Sequence, residues 1–229
     1  AALLTALERK GIAVEGGVRI AWDEGDPVGD GSCTTGGKEP LGVACPGSFR
    51  LTGLRSPPMS EIIKAILEPS KNWMTEQLVK TLGATRGEEG SWREGFRIES
   101  EFLTDQVGVD SLDIFYQDGS GLSAYNLLTP RALVRIFEFM RRSPHAGIFR
   151  DALASPGEDP GTLRRRLLPL EDRVFAKTGT INHVNSLSGY LLTGSGRELI
   201  FSVLTNGSGL PSGVVRAGID QVVQAVARR

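Results

Sequence analysis

The 229-residue sequence contains few of the residues on which several classes of protein depend. It has two histidines, and neither has a partner at metal-ligand spacing, so we expect no metal and no cofactor. Its net charge of −1 gives no general electrostatic reason to bind nucleic acid, so we expect no such partner. No window approaches the roughly 18 consecutive apolar residues that a membrane helix needs, so we expect no transmembrane segment.

The first 55 residues have a different character from the remainder. Residues 1–10 have helical periodicity and are interpreted as the last part of an amphipathic helix, not as a targeting segment. Residues 17–22 alternate in the manner of a strand. The turn-rich loop that follows contains Cys33 and Cys45, whose spacing of twelve permits a disulfide that would suit an exported protein. Two free thiols are the alternative.

The remaining sequence predicts helices first, then strands, then one last helix. The predicted helices cover 59–67, 72–82, 92–107 and 129–140, the strands 174–180, 186–193 and 198–205, and the last helix 214–228. Gly83 is expected to end the second helix. This order predicts an α/β fold of the α+β type, in which helices flank an antiparallel sheet.

The most informative segment is the strand-like run from Val174 to Thr180, because it contains Lys177, Thr178 and Gly179. A desolvated lysine can have a lowered pKa or can act as a fixed cation for a carboxylate. The threonine adds a hydroxyl group, and the glycine allows the backbone of a ligand to approach. An edge strand can also pair with an extended peptide. The alternative is a surface strand with a solvated lysine.

A second candidate segment is Ser70-Lys71-Asn72, which follows the helix-breaking Pro69. One interpretation is an ordinary helix N-cap at Ser70. The functional interpretation is that Ser70 relays a proton near a nucleophile and that Asn72 binds a substrate amide. Ser-x-Asn followed by Lys-Thr-Gly gives two of the three short motifs that serine enzymes of the penicillin-recognising group share.

The third of these motifs, Ser-x-x-Lys, is absent from the 229 residues. The nearest pair is Ser60 and Lys64, at a spacing of four. The sequence therefore contains candidate assisting residues but no nucleophile in the expected setting.

Three further residues are candidates for the lining of a cleft. Asp118 and Ser120 lie in an Asp-Gly-Ser-Gly run, which indicates a turn and fits neither glycine-rich phosphate motif. His183 lies three residues after Thr180 and could line the same cleft, although a structural role is the simpler interpretation.

Five blocks of sequence, in the right order, resemble the class C low-molecular-mass penicillin-binding proteins, the D-alanyl-D-alanine carboxypeptidase/endopeptidase (peptidase S13-like) family. They are residues 56–63, 70–83, 118–130, 176–180 and 187–190. The chain departs from the family pattern at Lys71, where aspartate is usual. The resemblance implies the penicillin-binding/β-lactamase-like transpeptidase fold, incomplete in this chain.

The resemblance also implies roles for individual residues. Ser70 and Lys177 would assist proton transfer, and Asn72 would hold the substrate amide. Thr178 would bind the terminal carboxylate of the substrate, and the backbone N–H of Thr180 would be an oxyanion donor. The nucleophile would be the serine of the absent motif, and the reaction would pass through an acyl-enzyme.

The resemblance implies that residues 1–55 end an inserted accessory domain and that 56–229 form the larger part of the penicillin-binding domain. We expect a serine D,D-peptidase of the periplasm or cell exterior whose partners are stem peptides ending in D-Ala-D-Ala and β-lactams. A segment carrying Ser-x-x-Lys would be its further partner. The alternatives are a non-catalytic relative that binds peptidoglycan or a protein, and a β-lactamase or esterase of the same fold.

Overall fold

A computed structural model of the protein describes residues 2–14 and 55–229 and divides the chain into two units, Ala1–Ser56 and Pro57–Arg229. In the first unit, helix α1 spans Ala2–Arg9, which confirms the predicted helix. The strand predicted for residues 17–22 and the cysteine pair Cys33 and Cys45 lie outside the described residues. The assignment of this unit to an inserted domain stays a prediction.

The second unit begins with three helices, α2 (Met59–Leu67), α3 (Asn72–Arg86) and α4 (Trp92–Phe102), the last continued by a π-helical turn over Leu103–Val107. The prediction that Gly83 ends α3 is wrong. The helix continues to Arg86, and Gly83 is buried where a Cβ would lie 2.6 Å from the carbonyl oxygen of Glu89. Close packing, and not helix termination, therefore accounts for this glycine.

A short connecting region leads to the central helix of the unit. A 3₁₀ turn (Ser111–Asp113) precedes the two-residue strands β1 (Ile114–Phe115) and β2 (Leu127–Leu128), which pair antiparallel. Helix α5 (Pro130–Arg142) then begins after Thr129, whose hydroxyl accepts a hydrogen bond of 3.1 Å from the N–H of Ala132. This cap and the proline that follows it confirm the predicted start of the helix.

The main sheet contains three antiparallel strands in the order β3 (Val174–Ile181), β4 (Val184–Leu192) and β5 (Glu198–Asn206). Helix α6 (Ala146–Asp151) and a 3₁₀ turn (Leu168–Leu170) precede it, and helix α7 (Ser212–Ala227) ends the chain. The three strands and the last helix confirm the predictions for this region.

Two apolar clusters lie on the two faces of the sheet, because successive side chains of a strand point to opposite faces. The first includes residues of β3, β4 and α7: Val174, Ala176, Leu187, Leu191, Ile219 and Val223. The second joins Phe137 of α5 to Phe175 and Tyr190. Tyr190 also donates a 2.8 Å hydrogen bond to the carbonyl of Phe137, which fixes α5 on its face. Helices thus flank an antiparallel sheet, as the sequence predicts.

Candidate active site

A cleft of about 1010 Å³ lies within the second unit, where the edge of β3 meets the start of α3. The turn around residue 120, the loop 160–166 and the start of α7 complete its walls. Seven of the predicted site residues line it: Ser70, Asn72, Ser120, Lys177, Thr178, Gly179 and Thr180. The structure therefore brings together the Ser-x-Asn and Lys-Thr-Gly segments, which are distant in sequence.

Lys177 and Ser70 meet in this cleft. The Nζ of Lys177 donates a 2.8 Å hydrogen bond to the Oγ of Ser70 and a 3.0 Å bond to the backbone carbonyl of Thr178. Burial lowers the pKa of Lys177 from its ordinary value of 10.5 to about 8, because desolvation disfavours the charged amine. In the part of the chain that the structure describes, no carboxylate pairs with this lysine. A lysine with such a pKa can give up or take up a proton close to neutral pH.

Ser70 occupies an uncommon backbone conformation at the end of α2. Its φ is +61°, in the left-handed region that non-glycine residues seldom adopt. The N–H of Lys71 reaches back 3.0 Å to the carbonyl of Ile66, the bond that closes a Schellman-type helix end. Ser70 therefore stands in the position that glycine usually takes, and its hydroxyl points to Lys177 instead of capping α3. The N-cap of α3 is Lys71, without a side-chain cap bond.

The segment from Lys177 to Thr180 forms an open edge of the sheet. The N–H of Ala176 donates outward, 2.9 Å to the carbonyl of Ala154. Because backbone groups alternate in direction along a strand, the N–H groups of Thr178 and Thr180 face the same outer edge. Among the described residues, β3 pairs with no strand on this side. An extended peptide can therefore pair with this edge by strand addition.

Thr178 and Thr162 form a second polar contact at this edge. The hydroxyl of Thr178 donates a 2.9 Å hydrogen bond to the hydroxyl of Thr162. Since Lys177 and Thr178 are neighbours on a strand, their side chains point to opposite faces, one to Ser70 and the other to Thr162. The cleft thus has an amine on one side of the edge and a hydroxyl pair on the other.

Asn72 and Ser120 also line the cleft, and Glu76 connects the two segments that carry them. Asn72, the first residue of α3, is half-buried and makes no side-chain hydrogen bond to another described residue, so its amide can serve a ligand. Glu76 lies one turn further along α3. Its carboxylate accepts a hydrogen bond of 2.9 Å from the N–H of Ser120 and one of 3.2 Å from the N–H of Gly119. It also accepts from the indole of Trp92 at 2.8 Å. These bonds fasten the Ser120 turn to the helix.

The pKa of the Glu76 carboxyl reflects this position. Partial burial acts to raise the pKa, but the hydrogen bonds from Ser120, Trp92 and Gly119 together lower it below its ordinary value. Nothing in the sequence pattern distinguishes Glu76 except its spacing of four from Asn72, which places both on one face of a helix. The contact of Thr162 with Thr178 has no sequence signal.

The other two predicted lining residues, Asp118 and His183, lie outside the cleft lining. Asp118 accepts hydrogen bonds from the N–H groups of Gly121 and Ser123 and from the amide of Asn126, so it organises its own turn. His183 is exposed in the two-residue turn between β3 and β4, with a φ of +59°. Among the described residues, no group of histidine, cysteine and carboxylate side chains could hold a metal ion. None of the described helices could cross a membrane.

Comparison with solved structures identifies the fold. Penicillin-binding protein 4 of Haemophilus influenzae, in complex with a β-lactam, superposes with a TM-score of 0.66 and 22% identity over 74% of this chain and 41% of that chain. A class A β-lactamase of Bacteroides cellulosilyticus superposes with a TM-score of 0.55 and 17% identity over 74% of this chain and 62% of that chain. The protein therefore has a penicillin-binding, β-lactamase-like fold.

Sequence comparison defines the family. The D-Ala-D-Ala carboxypeptidase 3 (S13) family matches residues 43–229, and the chain belongs to this family. The D-alanyl-D-alanine carboxypeptidase of Actinomadura sp. strain R39 is 32% identical over 218 residues, 90% of this chain and 36% of that protein. DacB of Haemophilus influenzae is 26% identical over 156 residues, 66% of this chain and 32% of that protein. The chain spans about a third of the length of these relatives.

Proposed function

We propose that this chain forms the substrate-binding edge and the proton-transfer pair of a serine D-alanyl-D-alanine carboxypeptidase or endopeptidase. The substrate is a peptidoglycan stem peptide that ends in D-Ala-D-Ala, and β-lactams inhibit the enzyme. The nucleophilic serine belongs to a Ser-x-x-Lys segment outside these 229 residues. The observation that carries the proposal is the hydrogen bond from Lys177 to Ser70 beside the open edge of β3.

The geometry of the cleft supports a distinct role for each residue. A stem peptide pairs with the outer edge of β3, where the N–H of Thr180 faces the peptide and serves as one oxyanion donor. The free amide of Asn72, at the start of α3, binds a substrate amide. The hydroxyl of Thr178 binds the terminal carboxylate, and Gly179 leaves room for the peptide backbone beside it.

The chemical step needs a proton path, which Ser70 and Lys177 supply. The nucleophilic serine gives its proton to the lysine of the Ser-x-x-Lys segment and attacks the carbonyl carbon of the scissile bond. The departing D-alanine amine takes up a proton as that bond breaks. Ser70 passes this proton to the leaving amine and regains one from Lys177, whose lowered pKa makes it a competent donor. Water then attacks the acyl-enzyme ester, which releases the shortened peptide.

The substrate also determines where the protein acts. Peptidoglycan lies outside the cytoplasmic membrane, so the proposed enzyme acts in the periplasm or at the cell exterior. A disulfide between Cys33 and Cys45 would suit that oxidising setting. Residues 1–55 are proposed to end an inserted accessory domain, with the penicillin-binding domain from residue 56 onward.

Intact mass spectrometry with benzylpenicillin tests the proposal. The 229-residue chain is measured under denaturing conditions, alone and together with the segment that carries Ser-x-x-Lys. We expect a penicilloyl adduct on that segment and none on the 229 residues. The Lys177→Ala substitution should slow adduct formation roughly 100-fold, within the range of general acid–base contributions. The matched control Lys64→Ala, at an exposed position of α2, should leave the rate unchanged.

Other outcomes point to the alternatives. An adduct on the isolated 229-residue chain would refute the external nucleophile. No adduct in any combination would favour a non-catalytic relative that binds peptidoglycan or a partner, which the missing Ser-x-x-Lys motif also favours. An adduct that hydrolyses within seconds would indicate a β-lactamase.

A further inference from the structure

The cleft has a strong excess of positive charge. Of the charged side chains that line it, five are basic and one is acidic: Arg164, Arg165, Arg166, Lys177 and Arg216 against Asp220. Two of these arginines have a carboxylate partner. Arg166 forms a bidentate pair with Asp220, at 2.7 and 3.1 Å, and both side chains are mostly buried. Arg164 pairs with the exposed Asp159 at 3.1 Å.

Arg165 and Arg216 have no such partner. Neither makes an ion pair or a side-chain hydrogen bond with any residue in the ranges 2–14 and 55–229. Guanidinium groups remain charged at any physiological pH, and their planar donors match carboxylates in a bidentate manner. The cleft therefore contains two uncompensated cations, in addition to Lys177.

The contacts place these two cations on one side of the substrate edge. The Thr178 hydroxyl contacts Thr162, which begins the segment that carries Arg165. The bidentate bond between Arg166 and Asp220 fastens the same segment to α7. Arg216 precedes Asp220 by four positions and so shares its face of the helix. Both cations thus lie beyond Thr178, whereas Ser70 lies on the side of Lys177.

We propose that Arg165 and Arg216 form a cationic subsite for the leaving group, which binds the second carboxylate of a terminal D-amino acid that carries one. This inference rests on the proposed function, because it assumes that Thr178 receives the terminal α-carboxylate. Arg166 is already neutralised by Asp220, so it holds the subsite in place and does not contribute its charge. Arg165 is exposed and Arg216 is half-buried, so water and salt partly screen the attraction of the pair for a carboxylate.

Three substrates that differ only in their last residue test the subsite. Stem peptides that end in D-Ala-D-Ala, D-Ala-D-Gln and D-Ala-D-Glu are compared by kcat/KM, with the complete protein that includes its Ser-x-x-Lys segment. D-Gln and D-Glu have nearly the same shape, so their ratio reports the second carboxylate. We expect a preference for D-Glu of about tenfold, as for one charge-assisted hydrogen bond.

The variants assign this preference to the two arginines. The double variant Arg165→Gln/Arg216→Gln should bring the ratio of D-Glu to D-Gln close to one, while D-Ala-D-Ala turnover stays near the wild-type value. The control is Arg135→Gln, on α5 outside the cleft lining, where the arginine pairs with Glu138. The control should retain the preference. Added salt should weaken the preference in the wild type and leave the double variant unaffected.

Two results would overturn the subsite. An unchanged ratio of kcat/KM between the D-Glu and D-Gln peptides in the double variant would show that the arginines do not bind the second carboxylate. An equal loss for all three substrates would show that they serve the terminal carboxylate or the fold. If no substrate is hydrolysed and benzylpenicillin gives no adduct, the proposed function itself fails. Calorimetric binding of the D-Glu and D-Gln peptides then tests the subsite separately, with the same expected difference and the same loss in the double variant.

Discussion

The Nζ of Lys177 lies 2.8 Å from the Oγ of Ser70, although 107 positions separate the two residues in the chain. One comes from the edge strand of the sheet and the other from a left-handed turn at the end of α2. The lysine donates to the hydroxyl oxygen, so the hydroxyl proton of Ser70 remains free to point into the cleft. This arrangement is suited to passing a proton from the amine through the hydroxyl to a third group.

Replacement of Lys177 should change how stability depends on pH. Burial lowers the pKa of Lys177 to about 8 in the folded protein, against 10.5 in an unfolded chain. Between these values the unfolded state binds more protons, so the free energy of unfolding should rise with pH, by up to about 1.4 kcal/mol per unit. Urea unfolding between pH 7 and 10 should show this rise in the wild type and lose it in Lys177→Met.

The comparison with Lys177→Met separates this lysine from the other titrating groups. Burial also raises the pKa of Tyr116, and it raises the pKa of Tyr190 to about 12. These phenols disfavour the folded state above pH 10, equally in both proteins, so their effect cancels. Parallel curves for the wild type and Lys177→Met would contradict the burial of the amine.

The backbone of Ser70 predicts an unusual order of stability among its substitutions. Ser70→Gly and Ser70→Ala both remove the hydroxyl that Lys177 contacts, and only glycine adopts a φ of +61° without steric cost. We expect the glycine variant to be more stable than the alanine variant by about 1 kcal/mol. Thermal unfolding of the two variants measures this difference directly.

The two variants should differ in stability but not in their rate of reaction with benzylpenicillin. Both variants lack the hydroxyl that is proposed to relay the proton, so they should form the penicilloyl adduct slowly in the presence of the Ser-x-x-Lys segment. An alanine variant as stable as the glycine variant would show that Ser70 does not hold the left-handed conformation.

The sequence predicted the elements that have strong local signals. The cap at Thr129 and the apolar face of α5 are both properties of neighbouring residues, so the pattern locates that helix. Strands β1 and β2 have two residues each, and α6 has six, which is too short for periodicity to show. Gly83 misled the prediction because the glycine allows α3 to pack closely against the loop at Glu89, and hydrophobic periodicity does not report such packing.

The site could be predicted only where it is carried by motifs. The order of Ser-x-Asn and Lys-Thr-Gly indicated that Ser70, Asn72 and Lys177 belong together, but spacing alone does not give their contacts. Glu76 is an ordinary polar residue on a helix, and its role depends on a turn more than 40 positions later. The uncompensated state of Arg165 and Arg216 likewise depends on which carboxylates reach them in space.

Glu76 should stabilise the wall of the cleft through its charge and geometry. The amide of Glu76→Gln has only one oxygen that can accept hydrogen bonds. At least one of the N–H groups of Gly119, Ser120 and Trp92 therefore loses its acceptor. We expect a loss of about 1–3 kcal/mol in the free energy of unfolding. The matched control is Glu88→Gln, at an exposed position with no side-chain hydrogen bond to another described residue, which should change stability little.

Acidification provides an independent measurement of Glu76. Because its folded pKa is lowered, its contribution is present above the unfolded value of 4.5 and is lost as pH falls through the folded value. Wild-type protein should therefore lose more stability than Glu76→Gln below pH 4.5. Equal losses would contradict the hydrogen bonds of this carboxylate.

Replacement by alanine should affect stability differently at two glycines, one in the site and one beside it. A Cβ on Gly189 of β4 would lie 2.6 Å from the Cα of Ala176, so the methyl group meets backbone that cannot move aside. A Cβ on Gly179 meets chiefly the hydroxyl of Ser186, which can rotate away. We expect Gly189→Ala to destabilise the protein by about 1–3 kcal/mol and Gly179→Ala by less than about 1 kcal/mol.

The effect on activity should be larger for Gly179→Ala than for Gly189→Ala, the reverse of their effect on stability. Gly179→Ala adds a methyl group to the cleft lining, where the stem peptide is proposed to pair with β3, so it should raise the KM for the peptide while the fold persists. Gly189 lies on β4 outside the cleft lining, so the activity of Gly189→Ala should fall chiefly because less of the protein is folded. Peptide hydrolysis and urea unfolding of both variants check this, and a Gly179→Ala protein with an unchanged KM would argue against strand pairing at this edge.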